Sequence, residues 1–97
     1  MTVRVLAEAR LELLDAVEHY EREQKGLGRR LWDELEEHLA WITQHPEVAK
    51  LRVGGYRRVN LRVFPYFVAY VSRGDTVWVL AIGHVRRRPE YWIKRLR

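Results

Sequence analysis

Two apolar runs in the second half of the chain limit what it can fold into. Residues 66–72 and 76–85 are apolar at consecutive rather than alternate positions, and only Arg73-Gly74-Asp75 separates them. A strand that is apolar on both faces has to be covered on both faces, so this pair reads as the central hairpin of a sheet. Helices can cover one face only. The other needs the C-terminal segment or a partner protein, and Tyr91, Trp92, Ile93 and Leu96 offer part of that cover.

The first half supplies the helices. After a short strand at Val3-Arg4-Val5-Leu6, the pattern over residues 7–23 takes a helical period, with Ala9, Leu13, Ala16, Val17 and Tyr20 on one face. Glu8, Glu12, Asp15, Glu18 and Glu21 fall mainly on the opposite face and read as a solvated surface. Gly26-Leu27-Gly28 breaks the period, and a second helix runs over residues 27–44 until Pro46 stops it. Its stripe is Leu27, Leu31, Leu35, His38, Leu39 and Ile42; Trp41 lies off the stripe, at the core edge or as an exposed contact. Beyond a polar link, residues 56–63 alternate, with Val59, Leu61 and Val63 on one side and Arg58, Asn60 and Arg62 on the other. Phe64-Pro65 cannot continue a ladder comfortably and marks the turn into the apolar hairpin.

The expected architecture is therefore α+β: a strand, a two-helix hairpin, then a three-stranded antiparallel meander with a basic C-terminal segment, in one domain spanning residues 1–97. Val59, Leu61, Val63, Leu13, Val17, Leu31, Leu35, Leu39 and Ile42 should be buried together. Trp78 should join the core, Trp32 should be packed, and Trp92 should cap the arginine loop.

Charge is distributed unevenly. Residues 1–50 carry a net of −4, and residues 51–97 a net of +9, with 11 basic and 2 acidic side chains. A nucleic acid or an acidic protein surface suits such a half-chain. No apolar run approaches the roughly 20 residues that span a bilayer, no signal-peptide pattern opens the chain, and no membrane partner is expected. With no cysteine there are no disulfides or thiolate metal sites. The cytoplasm is the expected compartment.

The order of elements, together with Tyr20, Gly26-Leu27-Gly28, Pro46, Gly55-Tyr56-Arg57-Arg58, Phe64-Pro65-Tyr66, Tyr70 and the run from His84 through Arg86-Arg87-Arg88-Pro89-Glu90-Tyr91-Trp92, resembles the RelE/ParE toxins of bacterial type II toxin–antitoxin pairs. Phe64-Pro65-Tyr66 favours the ParE-like branch. The resemblance implies a growth-arresting toxin held inactive by an acidic cognate antitoxin, as a hetero-oligomer, with a homodimer as a rival arrangement. It also implies a cellular target, DNA gyrase for ParE-like members or the ribosome and its mRNA for RelE-like ones. A degenerate, non-toxic member that still binds an antitoxin is a third reading.

The residues themselves constrain the chemistry. Metal-free RNA cleavage needs a base, an acid and cations around the phosphate, and arginine suits only the last role. Arg58, Arg62, Arg86, Arg87, Arg88, Tyr91 and Trp92 are the candidate target-binding residues. His84, Arg86, Arg87 and Tyr91 are the candidates for catalysis, should there be any. Phe67 stands where the resembling nucleases carry an arginine, and Lys50 stands alone where they carry a lysine pair, so binding is favoured over cleavage. His84 reads as a strand-end histidine hydrogen-bonded to hold the arginine loop. His38 and His45 lack a third ligand, and no metal or cofactor is expected.

Overall fold

The apolar hairpin does lie at the centre of a sheet. In the computed structural model, which describes residues 1–96, the elements are β1 (Thr2–Val5), α1 (Ala7–Glu23), α2 (Leu27–Gln44), β2 (Leu51–Arg52), β3 (Tyr56–Asn60), β4 (Tyr66–Arg73), β5 (Thr76–His84) and a 3-10 turn, Ile93–Arg95. The strand order is β1-β5-β4-β3-β2; β1 runs parallel to β5 and every other pair is antiparallel. β4 and β5 are thus flanked on both edges as well as covered on both faces. The fold is α+β as expected, with β2 added where the sequence read as a polar link.

The helical hairpin covers one face. Gly28 makes its tight closure possible, because a Cβ there would meet the Val17 carbonyl oxygen at 2.6 Å. Glu21 holds the joint by accepting the N–H groups of Gly26 and Gly28, which gives the first turn of α2 a capping carboxylate. Ala9, Leu13 and Ala16 from α1 and Leu31, Leu35 and Ile42 from α2 pack with Leu61, Phe64, Val68, Tyr70, Val77, Val79 and Ile82. Val17, Leu39, Val59 and Trp32 are half-buried against this core.

Val63 is a correction: it is 67 % exposed. The alternation that begins at Tyr56 ends with β3 at Asn60. The Leu61 N–H then bonds to the Tyr66 carbonyl, so the chain is already turning. Buried Glu34 accepts the N–H groups of both Arg62 and Val63, which fixes that turn and leaves the Val63 side chain in solvent. Trp41 is exposed rather than at the core edge, and Trp78 is half-buried with the Arg4 guanidinium 5.9 Å from its ring centre.

The second face is covered by the chain itself. Trp92 is buried against Tyr56, Phe67, Ala69, Val71, Leu80 and Ala81, with the Tyr56 ring edge-on at 4.5 Å. An irregularity in the β4–β5 register makes room for this. Ala69 pairs with Ala81 but Tyr70 pairs with Val79, so Leu80 is extra and both Leu80 and Ala81 turn to the second face. No helix among the described residues is long and apolar enough to cross a membrane.

Candidate functional site

β5 outruns its edge neighbour, and the site is built on that overhang. β1 stops pairing at Val5 opposite Val79, which leaves the β5 backbone beyond it in need of partners. Side chains supply them. Glu12 on α1 accepts the Ile82 N–H at 3.0 Å, and Arg95 donates to the Leu80 carbonyl at 3.0 Å. Glu12 also accepts from the Tyr91 hydroxyl at 2.6 Å and from both Arg95 Nη atoms at 3.1 Å. A carboxylate read from the sequence as part of a solvated face is therefore the clasp that fastens the C-terminal segment to the sheet. Only the tertiary overhang of β5 gives it that work.

Above the clasp the chain leaves β5 and reverses. His84 Nδ1 accepts the Arg86 N–H at 3.0 Å, the Arg87 N–H bonds to the His84 carbonyl, and the Val85 N–H bonds to the Pro65 carbonyl. Since Nδ1 is an acceptor, neutral His84 carries its proton on Nε2. Glu90 takes a left-handed backbone, φ 59°, just after Pro89, and its carboxylate accepts the Tyr56 hydroxyl. The loop is pinned at both ends.

Between α1 and this loop lies a cleft of about 210 Å³ lined by Glu12, Asp15, His19, Tyr66, Gly83, His84, Arg87 and Tyr91 among others. Gly83 sets its depth, because a Cβ there would meet the Tyr91 hydroxyl oxygen at 2.5 Å and the Phe67 ring at 2.8 Å. The Arg87 guanidinium sits 3.8 Å over the Tyr91 ring, and the Arg95 guanidinium 5.5 Å from the same ring. Burial first, and then the bond to Glu12, push the Tyr91 hydroxyl far above its ordinary ionisation range. Burial, the largest single influence, works against the charge on Arg95, but the bond to Glu12 and the charges of Glu12, Tyr91 and Glu8 together outweigh it and raise its proton affinity. Chemically, the cleft offers a guanidinium clamped on an aromatic face, an imidazole of fixed tautomer and a tyrosine whose proton is committed elsewhere.

The structure thus brings His84, Arg87 and Tyr91 together, with Arg86 and Arg88 exposed on the same loop. It does not bring the remaining candidates to them. Arg58 lies 4.0 Å over the Phe67 ring on the second face of the sheet, and Arg62 pairs with Glu37 at 3.0 Å beside α2. Trp92, expected at the target surface, is 2 % exposed and acts in packing. Sequence reasoning missed His19, Tyr66 and Glu12. His19 and Glu12 lie on α1 with Asp15 and Ala16 between them, a spacing that puts them on one side of the helix, but nothing in the sequence said that β5 would face it.

The chain is thus a small α+β fold with a helical hairpin on one sheet face and a cationic, aromatic clasp at the end of its longest strand. The sequence model of one family, the ParE toxin of type II toxin-antitoxin system, parDE, matches residues 3–89. The chain belongs to this family, and is a ParE-type toxin of a type II toxin–antitoxin system. It is similar in fold to a chain of the chromosomal ParDE TA system from P. aeruginosa, with a TM-score of 0.65 at 16 % identity over 87 % of this chain and 95 % of that one. No curated protein sequence matches it.

Proposed function

We propose that the chain arrests growth by binding DNA gyrase in the cytoplasm through the loop of Arg86, Arg87 and Arg88, and that an acidic antitoxin neutralises it. The observation that carries this reading is the state of Tyr91. Its hydroxyl donates to Glu12 and resists ionisation, and Arg87 covers its ring, so it is poorly placed to transfer a proton or stack a base. What remains is the Arg87 guanidinium held on the Tyr91 ring, with Arg86 and Arg88 exposed on the same loop, and guanidinium groups suit recognition of carboxylates or phosphates. The net +9 of residues 51–97 supports an acidic partner.

One observation favours the ribosome-dependent nuclease as a second reading: His84, the titratable candidate, shares the cleft with Arg87. Induced expression separates the two. Gyrase poisoning gives a DNA damage response with intact messenger RNA, and nuclease action gives A-site cleavage. Replacing Arg86 and Arg87 together with Ala should abolish growth arrest without changing the melting temperature, since both are exposed. His84→Gln should retain much of the activity, because the amide oxygen can accept the Arg86 N–H. A folded but inactive His84→Gln chain, with A-site cleavage by the parent, would overturn the binding model. Absence of growth arrest from the parent would leave the non-toxic antitoxin binder.

A further inference from the structure

The cleft between α1 and the arginine loop holds two opposite charges that do not meet. Arg87 and Asp15 both line it, one from the loop and one from the helix. Among the described residues the Arg87 guanidinium has no ion pair and no hydrogen bond, and it rests on the Tyr91 ring at 3.8 Å. The Asp15 carboxylate, among the same residues, has no ion pair and no hydrogen bond either. The other acid of the cleft, Glu12, is already taken by Arg95 at 3.1 Å. Asp15 and Arg87 are therefore charges left over on facing walls.

Beside Arg87 stands a second donor. His84 spends Nδ1 on the Arg86 N–H, so its remaining N–H is Nε2, across the imidazole from that bond. Tyr66, edge-on at 5.2 Å, holds the plane of the ring. Contact with Tyr91 uses a face of the Arg87 guanidinium and leaves its N–H groups for a ligand. The loop wall of the cleft thus offers hydrogen-bond donors, and the α1 wall offers an acceptor carboxylate. A ligand that satisfies both has to carry an acceptor anion and a donor cation side by side.

We propose that the cleft holds one carboxylate side chain of the target protein, bound by the Arg87 guanidinium and the Nε2–H of His84, while a basic neighbour of that residue reaches Asp15. A single carboxylate suits a guanidinium with its N–H edge free. A nucleic-acid backbone fits poorly. It carries a further phosphate at every nucleotide and brings no cation for Asp15, so it would set like charges together on the α1 wall. The loop therefore reads the protein of a gyrase–DNA complex rather than its DNA. The owner of the carboxylate is taken from the gyrase reading, whereas the charge order of the ligand rests on the cleft alone.

The test titrates the full chain, followed by NMR, with acetyl-glutamyl-lysine amide, acetyl-glutamyl-glutamate amide and a short thymidine oligonucleotide. The glutamyl-lysine probe should shift the amides of Asp15, His19, His84 and Arg87 and bind about three-fold tighter than glutamyl-glutamate, the worth of one exposed charge pair. Asp15→Lys, at an exposed position, should reverse that preference with the melting temperature unchanged. Arg87→Met should weaken both peptides about ten-fold, as expected for a lost charge-assisted hydrogen bond. His84→Asn keeps an acceptor for the Arg86 N–H but loses the Nε2 donor, and should weaken both peptides while the loop amides keep their parental pattern. Equal binding of the two peptides, or no reversal in Asp15→Lys, would overturn the proposal. Tighter binding of the oligonucleotide, with shifts centred on Arg86–Arg88, would assign the loop to phosphates instead. Growth arrest is scored separately. A DNA damage response that survives Asp15→Lys undiminished removes the cleft as the gyrase contact and leaves the gyrase reading. Peptide selectivity in a parent chain that does not poison gyrase removes gyrase as the owner of the carboxylate.

Discussion

Replacing Glu12 with Ala tests the clasp most directly. The carboxylate accepts from the Ile82 N–H, the Tyr91 hydroxyl and both Arg95 Nη atoms, and its side chain is 16 % exposed against 20 % for Arg95. A buried donor left without a partner costs about 1–3 kcal/mol. Ile82 lies in the sheet interior and should bear about 2 kcal/mol of that. Tyr91 and Arg95 face open grooves where water partly replaces the lost acceptor, so each should add only about 0.5–1 kcal/mol. Alanine returns a few tenths of a kcal/mol through helix propensity, roughly offset by the lost packing of the Glu12 stem. The net expectation is roughly 3 kcal/mol of destabilisation, an order-of-magnitude figure. Urea denaturation would measure it. Glu12→Gln keeps an acceptor for Ile82 and should lose about half as much. In a double-mutant cycle with Arg95→Met, the pair should show coupling of about 1 kcal/mol. An ordinary surface carboxylate on a helix changes stability by no more than about 0.5 kcal/mol, and that result for Glu12→Ala would refute the clasp.

Leu35 is 1 % exposed in the helix-side core, so Leu35→Ala should cost about 2–5 kcal/mol in the same assay; a near-neutral result would mean that the α2 stripe is misplaced. Gly83→Ala puts a methyl group against Tyr91 and Phe67 and should cost about 1–3 kcal/mol, with Tyr91→Phe in the same chain recovering part of the loss; no recovery would place the clash elsewhere. All five tyrosines, at positions 20, 56, 66, 70 and 91, hold their protons above the ordinary tyrosine value, with burial as the first cause of each. A raised folded-state value means that the unfolded chain loses these protons first, so stability should be flat below the ordinary value of 10.0 and fall as pH rises above it. Thermal melting between neutral and strongly alkaline pH checks the sign, and a stability that rises there would contradict it.

The contrast between Leu35 and Glu12 shows where reading the sequence succeeds. Periodicity is a local property, and burial follows it wherever an element is long enough to present a whole face. Both helices therefore begin and end where their patterns do, at Ala7–Glu23 and Leu27–Gln44. The doubly apolar hairpin likewise had to be central, and the arginine loop had to follow it. Val63 failed because alternation carried one residue pair past the point where Glu34, 29 positions away in sequence, takes over the turn. β2 went unseen because two residues are too few to show a period.

What the sequence determined by itself is the order and kind of the main elements, the core stripe of the helices and the basic character of the second half. What only the tertiary structure decided is how far each strand outruns its neighbour. β1 ends before β5 does, and that overhang turns Glu12 from a surface carboxylate into the clasp for Tyr91 and Arg95. β2 ends before β3 does, and that overhang leaves the Asn60 end of β3 with no neighbouring strand on that side. Strand ends are set by pairing between segments far apart in the chain, where a difference of one or two residues leaves no mark on hydrophobic pattern but decides which backbone groups must find a partner.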